Sequence, residues 1–384
     1  MQPLEGFRVL DLTHVLAGPC ATHHLRCLGA EVIKVERPDT GDATRELALR
    51  PEMGGLSPGF RALNAGKKSV VLDLATPDGR AALLRLAKDA DVFVENFRPG
   101  AAKRLGLGPD DIRAVRPDII YCSISGWGQS GPNSARGAYD HVIQAATGMM
   151  TLQGNAATTT PVKVGFPVID IATGISAAEA ILAAVVRRLR GDTSPIAIDV
   201  SMVDSALALM SGPAATTLAT GRVPKRVGNR GFVGSPGADT FATRNGHISV
   251  AANTMGQFAI LCRLLGQPDL AAPPHIPAGL APDAFLTDLA TEELRSALAD
   301  AFAGAEADKL ESMLNAEGVP AARVRDLHEY LAEAYLDTPG IGVVGEPLAV
   351  GPAFRWEGFE GIELSPAPRL GADTDKLVST GDVG

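Results

Sequence analysis

Apolar residues along the first third of the chain fall into short blocks separated by stretches of helical spacing. Residues 7–12 form an apolar strand, Gly18-Pro19 punctuates the chain, and residues 21–28 carry a helical pattern that stops at Gly29. Residues 31–36 (EVIKVE) alternate apolar and charged side chains, the two-residue period of a half-buried strand. Strand, turn, helix and strand within 36 residues predict a βαβ unit opening a parallel sheet. A second unit follows: strand 69–74, helix 77–90 and strand 91–95, with Thr76-Pro77 supplying a capping hydroxyl and a proline at the first helical position. Residues 118–125 (DIIYCSIS) predict another buried strand, and 138–150 and 174–190 predict helices. The second helix is apolar nearly all round and ends in Arg187, Arg188 and Arg190, where cations suit the helix dipole.

Strand 196–200 and an apolar helix reaching Met210 complete this half, and no internal repeat is present. Residues 219–239 are rich in Gly, Pro, Arg and Asn and mark a domain boundary. Beyond it lie a strand at 247–251 and helices at 254–265 and 283–302, with a proline-rich joint at 273–282, the pattern of a smaller α+β domain. A strand at 322–324, a helix at 326–334 and weakly extended segments close the chain.

Composition narrows the class. The 384 residues are 46% hydrophobic and 21% charged, as in a globular protein with a sizeable core. A net charge of -9 argues against a nucleic-acid partner, because neutralising phosphates needs a basic face. Cys20, Cys27, Cys122 and Cys262 lack metal-ligand spacing and read as buried thiols in a reducing compartment. No signal-peptide pattern opens the chain, and no uninterrupted apolar run of about 20 residues occurs. The expectation is a cytoplasmic protein without a membrane partner.

The familiar cofactor motifs are missing. LTHVLAG after the first strand lacks GxGxxG, and no GxxxxGK[ST], HExxH or GxSxG occurs, so neither a nicotinamide or flavin site nor a metal site is expected. Chemistry-bearing residues instead stand at predicted strand ends. Asn96, Phe97 and Arg98 follow strand 91–95, where open α/β sheets bind ligands. Arg37, Lys67 and Arg104 add positive charge that reads either as a phosphate-binding rim or as ordinary solvated side chains. Asp170 interrupts an apolar run, so it must be paired, sit at a helix N-terminus or face a pocket; helix cap and catalytic carboxylate both fit. Tyr139, Asp140 and His141 open a helix that Asp140 alone suffices to cap.

The segments VLDLTHVLAGP (9–19), EVIKVER (31–37), KKSVVLDL (67–74), DVFVENFRPG (91–100), GWGQSG (126–131), 138–148, 167–174 and EGVPAA (317–322) together resemble the family III CoA-transferases. That superfamily also holds the α-methylacyl-CoA racemases. The resemblance implies an α/β fold: a large Rossmann-like parallel-sheet domain formed by residues 1–218 and the returning segment 326–384. A linker at 219–239 and a small α+β domain at 240–325 separate these parts, and two chains interlock as a homodimer. It implies Asp170 as the residue that becomes acylated. It places CoA against Arg37, Lys67, Asn96, Phe97, Arg98, Arg104 and Tyr139, with CoA or acyl-CoA as substrate and no tightly bound cofactor. Leu16 and Gly137 replace a glutamine and a lysine of the formyl enzyme, and residues 228–237 only loosely echo its glycine run. These departures turn the expectation from formate and oxalate toward succinyl-CoA and short dicarboxylic acids, with Arg136, Arg226 and Arg230 as candidate anchors for a second carboxylate. A racemase needs a histidine where this chain has Tyr139, a poor partner for two-way proton exchange near neutrality. A non-catalytic CoA-binding assembly protein would not need Asp170.

Overall fold

Six parallel strands form the main sheet: β1 (Arg8–Asp11), β2 (Glu31–Glu36), β3 (Lys68–Val71), β4 (Val92–Glu95), β5 (Ile120–Ser125) and β6 (Ile196–Ser201), in the order β3-β2-β1-β4-β5-β6. The computed structural model describes residues 2–47, 56–155, 157–231, 233–334, 341–342, 349–351, 353–354, 356–359 and 364–378. Strand order reverses between β1 and β4, so the loops leaving their carboxyl ends diverge and open a crevice. Helices α1 (Ala17–Cys27), α2 (Pro58–Asn64), α3 (Pro77–Lys88), α4 (Ala101–Arg104), α5 (Pro109–Arg113), α6 (Asp140–Ala146), α7 (Met149–Leu152), α8 (Val168–Leu189), α9 (Met202–Leu209) and α10 (Ser211–Thr220) connect or follow the strands. Val9, Val32, Val92, Ile120 and Ile196 pack on one side with α1 and α8. Leu10, Ile33, Val70, Phe93 and Tyr121 pack on the other with α3.

Three local expectations change. The alternation in β2 predicts one solvated face, yet Lys34 and Glu36 are buried, because each finds an opposite charge inside: Asp42 for Lys34 and Arg45 for Glu36. Helix α1 begins at Ala17, so Gly18-Pro19 lies in its first turn, where proline sacrifices no intrahelical bond. Helix α8 begins at Val168 rather than at 174, placing Asp170 within its first turn instead of before it. By length and composition α8 would also suffice to cross a membrane, a segment the sequence reading did not expect. One face of it packs into the core, with Ile169, Ala177, Ala178, Ile181, Ala184 and Val185 buried.

The chain divides into two compact units, residues 1–150, 163–223 and 338–384 in one, and 151–162 and 224–337 in the other. In the smaller unit β7 (Gly237–Thr243), β8 (Gly246–Ala252) and β9 (Ala321–Arg323) form an antiparallel sheet. It packs with α11 (Met255–Leu264), α12 (Glu292–Ala303) and α13 (Ala307–Ala316) around Phe241, Phe258 and Phe302. Helix α14 (Leu327–Ala334) follows β9. Neither β7 nor α13 was foreseen, and segment 151–162 joins this unit through Gly228 N donating to Gly154 O at 2.9 Å. In the larger unit β10 (Ile341–Gly342) and β11 (Ala349–Val350) pair, and α15 (Thr374–Val378) closes the free edge of β3. There Ser69 N donates to Asp373 Oδ2 and Val71 N to Thr374 Oγ1, both at 2.9 Å.

The α1–α8 contact tests this packing. A Cβ on Gly174 would stand 2.6 Å from Cys20 Cβ and 2.8 Å from Ala17 O. Because Ala17 O is backbone, the helices themselves must separate. Gly174→Ala is expected to destabilise the fold by about 1–3 kcal/mol, read as a lower denaturant midpoint at unchanged slope.

Candidate active site

The crevice between β1 and β4 holds a cavity of about 320 Å³ lined by His14, Val15, Leu16, Phe97, Arg98 and Asp170 among others. A second cavity of about 530 Å³ extends over the ends of β2 and β3 past Arg37, Gly41, Leu72 and Leu74. His14, Val15, Phe97 and Tyr139 line both, so the two form one elongated groove with Asp170 toward one end.

A buried ionic network adjoins the groove through Thr13. Asp11, the last residue of β1, accepts from Lys67 Nζ at 3.1 Å and Thr22 Oγ1 at 2.6 Å through one oxygen, and from Thr13 N at 2.9 Å through the other. Burial alone would raise the Asp11 pKa, but Lys67 and Lys34, with the Thr13 and Thr22 hydroxyls, bring it to about 2. Burial lowers Lys67 to about 8, partly opposed by Asp11. Lys67 also donates to Pro19 O at 3.1 Å and Thr22 Oγ1 at 2.8 Å, so all three of its N–H groups are committed. The expectation that Lys67 contacts a ligand is therefore corrected: its ammonium is internal structure. Asn96 does line the cavity, but its side chain exchanges two hydrogen bonds with the His14 backbone, at 3.0 and 2.8 Å.

The remaining expected residues divide. Phe97, Arg98 and Tyr139 line the cavity that holds Asp170, and Arg37 lines the neighbouring one. Arg104 is exposed on α4 and lines neither. The groove also brings in His14, which was not singled out as a site residue. His14 packs its ring against Phe97 at 5.7 Å, and its place directly after β1 was the available signal. Arg136, expected as a candidate anchor for a second carboxylate, lines the same cavity as Asp170 and lies 4.2 Å over the Trp127 ring. Among the described residues no carboxylate forms an ion pair with Arg37, Arg98 or Arg136, although Asp73 and Asp170 also line the groove. The four cysteines are buried and free, and no group of described residues is arranged to hold a metal ion.

Asp170 is half-buried, and its pKa is raised to about 7, first by burial and then by the nearby charge of Asp140. Asp140 does not cap its own helix, α6, as expected. Its Oδ2 accepts from Ile169 N at 2.7 Å and Asp170 N at 3.2 Å, capping α8, while Gln144 Nε2 donates to its other oxygen. Two N–H groups that would otherwise favour an ionised Asp170 are thereby spent on Asp140. The native state consequently keeps a proton that the unfolded chain loses near 3.8. This stabilisation is present below that value and is lost as pH rises toward 7. Asp170→Asn is expected to flatten that decline, which amounts to a few kcal/mol in the wild type. Denaturant midpoints measured between those pH values check it.

The sequence matches CoA-transferase family III over residues 4–374. It is 36% identical to the succinyl-CoA:glutarate CoA-transferase of Mus musculus, across 98% of this chain and 86% of that protein. It is 35% identical to the succinyl-CoA:mesaconate CoA-transferase of Haloarcula hispanica, across 91% and 90% respectively. A crystal structure of a CAIB/BAIF family protein from Brucella suis superposes with a TM-score of 0.86 at 31% identity, covering 99% of both chains. With the parallel sheet, the crevice at its switch point and the match running through nearly the whole sequence, the chain belongs to CoA-transferase family III.

Proposed function

We propose that this enzyme moves CoA from a short acyl-CoA, succinyl-CoA being the favoured donor, to a short dicarboxylic acid through an acyl anhydride on Asp170. The observation that carries the reading is a basic, half-buried carboxylate lining one end of a long groove whose cations have no carboxylate partners. The groove suits an extended, phosphorylated thioester, with Arg37 and Arg98 as candidate phosphate partners and Phe97 and Tyr139 as apolar walls.

The steps balance without a redox partner. An Asp170 oxygen attacks the thioester carbonyl, the C–S bond breaks, and CoA thiolate leaves with its electron pair. The thiolate then attacks the Asp170 carbonyl of the anhydride, releasing the donor acid and leaving an enzyme–CoA thioester. The incoming carboxylate attacks that thioester, and returning thiolate attacks the new acyl carbonyl, regenerating Asp170 and yielding the new acyl-CoA. A carboxylate raised to about 7 is a stronger nucleophile than an ordinary aspartate while still ionised in good part near neutrality.

Support for a dicarboxylic acid comes from the names of the two relatives and from Arg136, whose guanidinium lies 4.2 Å over the Trp127 ring beside the same cavity. Arg226 is withdrawn as an anchor, since it donates to Thr151 O and Thr158 O within the smaller unit. The racemase alternative lacks its base at the start of α6: position 139 is tyrosine, and His141 lines neither cavity.

Self-association as an interlocked homodimer is part of the proposal. Only 44% of the most apolar stretch of α8 is buried within the chain, Leu189 is 71% exposed, and α10 has no buried residue. A second copy of the chain would cover this surface. Light scattering alongside activity through a dilution series is expected to show a dimer throughout, and an active monomer overturns it.

A matrix of acyl-CoA donors against acid acceptors, read by mass spectrometry of the CoA products, tests the reaction. The fastest transfers are expected between dicarboxylic acids, with Asp170→Ala inactive and Arg136→Gln selectively impaired on dicarboxylates. Preference for long-chain or aryl acids, or α-proton exchange in deuterated water without an acceptor, contradicts the proposal.

A further inference from the structure

Val15 occupies the left-handed region at φ +71°, a conformation that a β-branched residue adopts only under constraint. Three successive residues are tied down around it. Thr13 O accepts from Lys34 Nζ at 2.7 Å, and His14 is gripped through both N and O by the Asn96 side chain. Val15 N donates to Asp42 Oδ1 at 3.3 Å. Asp42 is itself fixed, since its Oδ2 meets Lys34 Nζ at 2.9 Å with both side chains essentially unexposed, and Thr44 N and Oγ1 donate to its Oδ1. Immediately after the kink, Leu16 and Ala17 start α1 and line the cavity with Asp170.

We infer that Asn96 and Asp42 are positioning residues: together they hold the chain at Val15 in its left-handed kink and so fix the wall that faces Asp170. On this reading Asn96 acts chiefly through the His14 backbone, which engages its carbonyl oxygen and one N–H. Strain at a residue this close to a reacting group persists only where its surroundings over-determine it, and the bonds from β2, the segment after it and β4 do so. Released from Asn96, Val15 relaxes to negative φ, and Leu16 moves relative to Asp170. A displacement of about 1 Å at a reacting centre can lower turnover a hundredfold without weakening binding.

The catalytic part of this inference rests on the acyl-transfer role proposed for Asp170, whereas the kink itself does not. Asn96→Ala is expected to lower kcat about ten- to a hundredfold while leaving the calorimetric CoA affinity within about twofold. Glycine visits positive φ about as readily as negative φ, so Asn96→Ala in the Val15→Gly background should recover several-fold in kcat. The same pair read by denaturant midpoint forms a double-mutant cycle that needs no substrate: relief of the Val15 strain offsets part of the loss when Asn96 is removed, so Asn96→Ala should cost more stability when Val15 is glycine, which has no strain to relieve. Asn96→Asp, which keeps the acceptor for His14 N and loses the donor to its O, gives a second reading should the alanine variant fold poorly. A loss of CoA affinity matching the loss of kcat/KM, or a stability cycle with no coupling, overturns the inference. A coupled cycle in an enzyme whose Asp170 is never acylated would sink the proposed function and leave the clamp standing.

Discussion

Asp11 and Lys67 meet at 3.1 Å with neither side chain exposed, at the point where the main sheet changes direction. Charges removed from water must be compensated completely, and breaking such a pair by removing one partner costs about 3–5 kcal/mol. The pair extends through Lys34 to Asp42, while Glu36 collects Arg45 and Ser69 nearby. Because these groups come from β1, β2, β3 and the loops after them, the strand ends cannot move independently. The loop leading into α1 therefore stands on a rigid base, and the shape of the groove follows from it.

Two carboxylates in this unit show opposite electrostatic designs. Asp11 faces two ammonium groups and two hydroxyls and is held near 2, whereas Asp170 faces a second carboxylate and apolar surroundings and is raised to about 7. The first is ionic glue, and the second is more basic than an ordinary aspartate and about half ionised near pH 7, which suits the nucleophilic role proposed for it. Asp140 links shape to charge, since the same carboxyl group caps α8 and raises the pKa of Asp170.

Much of the scaffold was legible because the parallel strands are apolar blocks bounded by turn residues, and Thr76 does cap α3, accepting from Gly79 N at 3.1 Å. What escaped depends on distant partners or on weak local signals. Lys67 looks like a surface charge until Asp11, 56 residues away in sequence, is brought to it. The start of α8 reads as extended because Val168, Ile169 and Ile171 carry β-branched side chains, and its cap comes from another helix. Strand β7, GADTFAT, has too few large apolar residues to announce itself and is recognised by its pairing with β8. The region of the groove was readable from Asn96, Phe97 and Asp170, but the use of Asn96 to grip His14 was not.

The most direct test of the account follows atoms through one turnover. An acceptor acid labelled with heavy oxygen in its reacting carboxylate is supplied to the acyl-CoA-charged enzyme, and the peptide containing Asp170 is weighed after a single cycle. Attack on an enzyme thioester at Asp170 predicts one heavy oxygen retained in the Asp170 side chain and one in the new acyl-CoA. An unlabelled Asp170, with the heavy oxygen instead in the released donor acid, would mean that the two acids react directly and that Asp170 is never acylated.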